Sequence, residues 1–249
     1  MDNEMLTSAS DAARGDVVRL NVSGLRAWYR ESSALHGINL RVDRGEVVSL
    51  LGRNGAGKTT TLRSIIGLVE REGSIIFDGA DISKDAPEHI ARRGIGYVPE
   101  ERGIFSGLNV IENLLLPPVT RPGGLSIEEL YTLFPNLKER ERSQGTRLSG
   151  GEQQMLAMAR ILRTGADFLL LDEVTEGLAP IIVEQIGNVL NMLKARGFTM
   201  ILVEQNFPFA RSVADRHYVI EEGYVVDEVS DEELNDPTAY ARVQARLGV

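Results

Sequence analysis

Apolar and polar positions alternate with two different periods along this chain, and each change of period marks an element. Residues 17–22 alternate as a strand, and 35–42 do likewise with Ile38, Leu40 and Val42 on one face. Glu46 leads into the apolar run Val47-Val48-Ser49-Leu50-Leu51, which reads as a buried strand. Beyond a glycine-rich stretch, Thr61, Leu62, Ile65 and Ile66 have helical spacing, with Gly67 as a helix stop. Ser74-Ile75-Ile76-Phe77 followed by Asp78-Gly79 predicts one arm of a hairpin. Residues 87–93 read as a short helix, and Ile95-Gly96-Tyr97-Val98 as a buried strand stopped by Pro99.

The middle of the chain loses this rhythm. Residues 110–142 carry helical signals interrupted by Pro117-Pro118 and Pro122-Gly123-Gly124. Ser126 and Glu129 have the spacing of a capping box for a helix running toward Phe134. The section reads as a small helical subdomain inserted in an α/β core. A helix follows Gly151, then the strand Phe168-Leu169-Leu170-Leu171. Pro180 opens a long helix with Ile182, Ile186, Val189, Leu190 and Leu193 on one face, ending near Gly197. The strand Met200-Ile201-Leu202-Val203, a short helix through Ala210 and a hairpin across Glu222-Gly223 follow. Two short helices close the chain, with Asp231 as a cap and Pro237 in a first turn. Alternating strands and helices predict an α/β fold with a mainly parallel sheet covered on both faces.

Composition narrows this picture only slightly. The 249 residues are enough to bury a core, and 43% hydrophobic with 25% charged residues is ordinary for a water-exposed domain. A net charge of −9 argues against nucleic acid as the main partner. The absence of cysteine removes disulfides, thiolate chemistry and Cys-ligated metal, and fits a reducing cytoplasm. Residues 1–15 contain Asp2, Glu4 and Asp11 with no cationic start and no apolar run, which predicts a disordered leader rather than a signal peptide. No apolar stretch reaches the ~18 residues that would span a bilayer, so a membrane role would need other chains.

The glycine-rich stretch carries the chemistry. Gly52-Arg53-Asn54-Gly55-Ala56-Gly57-Lys58-Thr59-Thr60 fits the phosphate-loop pattern G-x-x-x-x-G-K-[ST], between a predicted strand and a predicted helix. Such a loop winds tightly and turns consecutive N–H groups toward an anion at a helix N-terminus. Lys58 would reach the β- and γ-phosphates, and the Thr59 hydroxyl would ligate Mg²⁺. Asp172-Glu173 follows the run Phe168-Leu169-Leu170-Leu171, which places a strand beside this loop with two acids at its end. Asp172 suits the metal shell and Glu173 the polarisation of an attacking water; taken without the loop, the same pair fits a solvated strand end equally well. Leu148-Ser149-Gly150-Gly151-Glu152-Gln153-Gln154 opens a helix with a hydroxyl and two glycines, at once an N-cap and an anion site.

These three motifs in this order resemble the ATP-binding subunits of ABC transporters, over essentially the whole chain from Val17. The resemblance implies a P-loop ATPase core with a mainly parallel sheet and an N-terminal antiparallel β subdomain. It implies a single ATPase domain at 16–249, with a helical subdomain inserted at about 108–165. It also implies two ATPase chains facing head to tail around ATP and Mg²⁺. Each ATP would lie between Gly52, Asn54, Gly55, Ala56, Gly57, Lys58, Thr59 and Thr60 of one chain and Ser149, Gly150 and Gly151 of the other. Tyr29 stands where the family places an aromatic that stacks on adenine, with Trp28 its neighbour; a half-buried strand aromatic is an equal reading of either.

Four positions depart from the wider family. Glu100, in Val98-Pro99-Glu100-Glu101-Arg102, replaces a Gln that touches Mg²⁺ and water. Val174 replaces a common Pro, and Glu176-Gly177-Leu178-Ala179-Pro180 replaces a loop ending in Asp. Gln205, in Val203-Glu204-Gln205-Asn206, replaces a His that contacts the γ-phosphate; an amide can hydrogen-bond there but brings no positive charge. His36, His89 and His217 fall elsewhere and read as structural or surface residues.

Together the departures resemble the second ATPase of branched-chain amino-acid uptake systems, a branch that includes importers of amides or urea. What the resemblance implies is an energy-coupling ATPase on the cytoplasmic face of the cell membrane. Glu173, Gln205 and Glu100 would be its catalytic group, and Thr59, Asp172 and Glu100 its metal ligands. Its partners would be integral-membrane permease subunits, a second ATPase chain, identical or a sister, and indirectly an extracytoplasmic binding protein. A ribosome- or DNA-directed ATPase is a different class, which usually shows two fused ATPase halves or long coiled coils, neither present here. An exporter ATPase is a third possibility, against which Gln205 and Ala179 argue by resemblance.

Overall fold

The apolar runs become the centre of a six-stranded sheet. The structure, a computed structural model, describes residues 18–248; the leader expected at 1–15, and Val17, lie outside them. In spatial order the sheet is β10 (Tyr224–Ser230), β9 (Arg216–Glu221), β3 (Val47–Leu51), β8 (Thr199–Val203), β7 (Phe168–Asp172) and β6 (Ile95–Val98). All neighbours pair in parallel except β10, which returns antiparallel from β9 through the expected Glu222-Gly223 turn. Successive side chains point to opposite faces, and both faces are covered, which is why these strands read as unbroken apolar runs. Val47, Leu169, Leu171, Met200 and Leu202 join one core with α6 (Gly150–Arg163) and α7 (Pro180–Ala195). Val48, Leu50, Leu170, Ile201 and Val203 join the other, which includes α1 (Lys58–Ile65) and a second sheet.

That second sheet is antiparallel, in the order β2 (Ser32–Asp43), β1 (Val18–Tyr29), β4 (Glu70–Phe77) and β5 (Ala80–Asp81). Its first strand runs seven residues past the end expected from the sequence, because register shifts after Val22, Leu25 and Ala27 break the two-residue period. Arg19 joins the two sheets. Its guanidinium is buried, lies 5.5 Å from the ring centres of both Phe77 and Phe168, and donates to Thr199 Oγ1 at 3.1 Å and the Asp167 carbonyl at 3.0 Å.

Between α2 (Pro87–Arg92), β6 and β7 the chain is helical: α3 (Val110–Leu115), α4 (Ile127–Leu133), α5 (Pro135–Glu139) and the start of α6. Complete capping boxes open three of them, Asn109 with Glu112, Ser126 with Glu129 and Ser149 with Glu152. After β8 come α8 (Phe207–Val213), the β9–β10 hairpin and α9 (Pro237–Leu247). Two expectations for the C-terminus change. The first closing helix is a single 3₁₀ turn, Glu233–Asn235, and Asp231 does not cap it. Asp231 accepts from Arg211 Nε at 2.9 Å, while Ser230 and Glu233 bond each other around the turn. Asp236 caps α9, with Pro237 in its first turn as expected.

Candidate nucleotide site

Parallel strands end at the same edge of their sheet, and here that edge gathers the chemistry. Residues 52–57 follow β3, Pro99-Glu100 follows β6, Asp172-Glu173 closes β7, and Glu204-Gln205 follows β8. In the sheet, β8 lies between β7 and the strand that feeds the glycine loop. The loop nevertheless reaches back, and Thr59 Oγ1 donates to Asp172 Oδ1 at 2.9 Å.

The glycine loop is held by its neighbours as well as by its own turns. A Cβ on Gly52 would stand 2.3 Å from the Ile220 carbonyl oxygen, and Gly57, at φ +109°, leaves only 2.7 Å to Leu35 Cδ2. Gly223 at the tip of the β9–β10 hairpin donates from its N–H to the Ala56 carbonyl at 2.8 Å, and its own carbonyl accepts from the His36 N–H at 3.0 Å. Gly57 caps α1 with no side-chain hydrogen bond, so the first N–H groups of that helix keep their capacity for an anion. Lys58 is 4% exposed and folds back to donate to the Gly52 carbonyl at 2.8 Å and the Arg53 carbonyl at 3.2 Å.

A cavity of about 630 Å³ lies against the loop, lined by Asn54, Gly55, Gly57, Lys58, Thr59 and Thr60, and also by Glu100, Glu173 and Gln205. Glu173 adopts a left-handed backbone at φ +46°, and its N–H donates to the Val203 carbonyl at 2.9 Å. Its carboxylate lies 3.6 Å from Lys58 Nζ and accepts from Gln205 Nε2 at 2.8 Å. The structure therefore brings Lys58, Thr59, Asp172, Glu173, Gln205 and Glu100 to one place. Ser149, Gly150 and Gly151 do not line this cavity; they open α6, where the Ser149 hydroxyl accepts from the Glu152 N–H at 3.3 Å. Tyr29, 43% exposed, also stays outside the lining and accepts from Thr60 Oγ1 at 3.5 Å, while Trp28 beside it is half-buried.

Several residues of the site were not read from the sequence. His36, expected to have a structural or surface role, lines the cavity, is stacked on Tyr224 at 5.1 Å, and lies 3.2 Å from Ser33 Oγ through Nδ1. Glu176 and Glu222 add two more carboxylates to the wall. Tyr97 donates from its phenol to Asp172 Oδ2 at 2.8 Å, and Arg63 of α1 reaches Glu101 at 3.1 Å. Burial raises the Asp172 carboxyl above the ordinary range, against the bonds from Tyr97 and Thr59. Partial burial and then the Glu173 and Asp172 charges raise Glu100 as well. A strand-centre tyrosine or a lone histidine carries no sequence pattern that marks it for such a place.

The donor set fits a hard cation: a hydroxyl and a carboxylate oxygen side by side, at the edge of an anion cradle. No group of three or more His, Asp or Glu forms a cage among the described residues. Mg²⁺ keeps waters and phosphate oxygens in its shell and takes one or two protein ligands, which Thr59 and Asp172 would provide.

Uncapped helix, glycine loop, buried lysine and a strand-end acid pair define a P-loop nucleoside triphosphatase. Comparison with known proteins carries this further. A profile of the ABC transporter family matches residues 35–176, more than half of the chain. BraG of Pseudomonas aeruginosa, a high-affinity branched-chain amino acid transport ATP-binding protein, is 40% identical over 217 residues, covering 83% of this chain and 91% of BraG. LptB of Haemophilus influenzae, a lipopolysaccharide export system ATP-binding protein, is 34% identical over 233 residues, covering 90% and 95%. Among solved structures, the dimeric post-hydrolysis state of the cassette MJ0796 bound to ADP and Pi superposes with a TM-score of 0.76 at 26% identity, covering 85% of this chain and 98% of that one. The chain belongs to the ABC transporter family and is one of its ATP-hydrolysing cassettes.

Proposed function

We propose that this cassette drives import of branched-chain or related amino acids, as a peripheral subunit on the cytoplasmic face of the membrane. The similarity to BraG supports the cargo class, together with Val98-Pro99-Glu100, Glu176-Gly177-Leu178-Ala179-Pro180 and Val203-Glu204-Gln205-Asn206. Export is the second reading, favoured by the similarity to LptB at comparable coverage.

The observation that carries the mechanism is the division of the site. Lys58 and the glycine loop line the cavity, whereas Ser149, Gly150 and Gly151 open a different helix and do not. Four carboxylates, of Glu100, Glu173, Glu176 and Glu222, share that cavity with one lysine, so a triphosphate would gain from further donors. Ser149, Gly150 and Gly151 of a second ATPase chain would supply them, making the nucleotide a clamp between two subunits. To turn a mostly open pair into a mostly closed one, the nucleotide must favour closure by roughly 5 kcal/mol. Thr59 and Asp172 would hold Mg²⁺, with Glu100 beside them, and the ion would neutralise phosphate charge. Glu173 would take the proton of the attacking water, and Gln205 would orient Glu173 and the terminal phosphate.

No helix among the described residues is long and apolar enough to cross a membrane. An apolar groove of about 450 Å³, lined by Ile66, Leu68, Ile90, Pro117, Pro118 and Ile161, suits the docking of a permease segment. Leu68, Leu115, Leu116 and Val119, each close to half exposed or more, extend its apolar character.

Glu173→Gln in the full chain is expected to keep ATP binding, nearly abolish turnover and accumulate an ATP-bound dimer on size-exclusion chromatography. Unchanged hydrolysis removes the assignment of Glu173. Proteins co-purifying with the tagged chain from membranes are expected to include a permease, with a binding protein that takes leucine, isoleucine or valine. Recovery of an export assembly instead would select the second reading.

A further inference from the structure

The segments that carry Glu173 and Gln205 are joined by a carboxyl with no part in the chemistry described so far. Glu204 follows the buried run Met200-Ile201-Leu202-Val203 and is itself 2% exposed. Its N–H donates to the Leu50 carbonyl at 3.3 Å. Its Oε1 accepts from the Thr175 N–H at 3.2 Å, and both carboxyl oxygens lie 2.9 Å from the Thr175 hydroxyl. Among the described residues it has no salt bridge, and a carboxyl buried without a cation is costly wherever an apolar side chain would fit.

What Glu204 holds explains that cost. Thr175 sits in the loop that follows Asp172 and Glu173, where the remaining backbone bonds are short-range turns, Glu176 N–H to Glu173 carbonyl at 3.2 Å and Leu178 N–H to Thr175 carbonyl at 3.2 Å. The loop starts at Glu173, whose left-handed backbone is unfavourable for a non-glycine residue and persists only where its surroundings impose it. Two contacts fix it to β8: the Glu173 N–H on the Val203 carbonyl, and Thr175 on Glu204. The residue after Glu204 is Gln205, whose amide meets the Glu173 carboxylate.

We propose that Glu204 is a positioning residue for ATP hydrolysis: by tying Thr175 to the end of β8 it holds Glu173 and Gln205 in a single geometry. The proposal rests on Glu173 as the group that polarises water. The glycine loop is anchored separately, by the Gly223 N–H on the Ala56 carbonyl, so loss of the tie moves the hydrolytic groups and leaves the phosphate cradle in place. A misplacement of about 1 Å at a reacting group can cost on the order of 100-fold in rate.

The test uses the full chain with Mg-ATP for turnover and Mg-ADP for affinity. Glu204→Ala and Thr175→Val are each expected to lower kcat by about tenfold or more while Mg-ADP affinity stays within about twofold. Glu204→Gln is expected to restore most of the rate, since an amide can accept from the Thr175 N–H and donate to its hydroxyl. The double variant Glu204→Ala/Thr175→Val is expected to be no slower than the slower single, because both remove one contact. Thr175→Ser, which keeps the hydroxyl, is expected to keep the rate and poses the question without emptying a buried position.

Wild-type kcat in Glu204→Ala and Thr175→Val beside an inactive Glu173→Gln overturns the tie alone. Mg-ADP affinity falling in step with kcat, or Glu204→Gln as slow as Glu204→Ala, overturns it as well. Normal turnover in Glu173→Gln overturns the Glu173 assignment, and the proposal with it.

Discussion

The phenol of Tyr97 and the carboxylate of Asp172 are joined by a 2.8 Å hydrogen bond across adjacent strands β6 and β7, on the oxygen that Thr59 does not use. Asp172 thus has both oxygens engaged before any ligand arrives, one by the phosphate-loop side and one by the sheet. Removing the phenolic oxygen with Tyr97→Phe leaves a fully buried carboxylate oxygen short of a donor, at a cost of about 1–3 kcal/mol. If Asp172 and Thr59 hold Mg²⁺, the same change weakens an outer support of the metal. The Mg²⁺ concentration for half-maximal ATP turnover is then expected to rise by about tenfold or more, read from a Mg²⁺ titration of variant and parent.

Lys58 holds the glycine loop in shape, because its ammonium donates to the Gly52 and Arg53 carbonyls. Lys58→Ala is expected to weaken ATP binding by more than tenfold, about 1.4 kcal/mol or more, measured by fluorescence titration with a labelled ATP. Lys58→Met should lose as much, since its packing volume is retained while the charge is not.

Glu204 gives stability an unusual pH dependence. Burial pushes its carboxyl up to about 7, against the bonds from Thr175, whereas the ordinary value is 4.5. Between these values the folded chain holds a proton that the unfolded chain has lost. The stabilisation is complete below pH 4.5 and is lost as pH rises through 7, by about 3 kcal/mol in all. In urea unfolding from pH 5 to 8, the stability of the parent minus that of Glu204→Gln should fall as pH rises, the His217 contribution being common to both.

His217 acts in the opposite sense. It is fully buried, with Nδ1 2.7 Å from Ser49 Oγ on β3, and burial lowers it below its ordinary value, against the pull of Asp231. Below the ordinary value of 6.5 the unfolded chain takes up a proton that the fold resists, so stability falls as pH drops through that point. Thermal unfolding of His217→Gln against the parent, at pH 5 to 7, is expected to lose that slope.

Arg19 ties the two sheets together: its guanidinium sits 5.5 Å from both Phe77 and Phe168, which meet edge to face, and it donates to the Asp167 carbonyl and Thr199 Oγ1. Arg19→Ala is expected to cost about 3 kcal/mol in chemical denaturation, and Arg19→Met to recover only the packing part of it, because Asp167 and Asp78 lose a buried cation partner in both variants.

Much of this site could be read locally. The glycine loop, the acid pair and the Ser149 cap each lie within a single strand–loop–helix unit, so consecutive residues suffice to identify them. His36, Tyr97, Glu204 and Glu222 were missed as site residues because what places them is pairing between distant strands. His36 enters through β2 and the hairpin tip, and Tyr97 through the β6–β7 register. The end of β1 was missed for a related reason, since bulges destroy the alternation on which a strand is recognised.

By itself, then, the sequence determined the α/β class, the glycine loop between strand and helix, the acid pair Asp172-Glu173 at a strand end, and the capped helix starts at Ser126 and Ser149, because periodicity and capping act over a few residues. Only the tertiary structure decided that β8 separates β7 from β3, that Tyr97 bonds Asp172 and Glu204 bonds Thr175, and that Ser149, Gly150 and Gly151 lie outside the cavity that the glycine loop lines. Those outcomes depend on which parallel strands become neighbours, a choice made by the burial of both sheet faces together and invisible in any one strand.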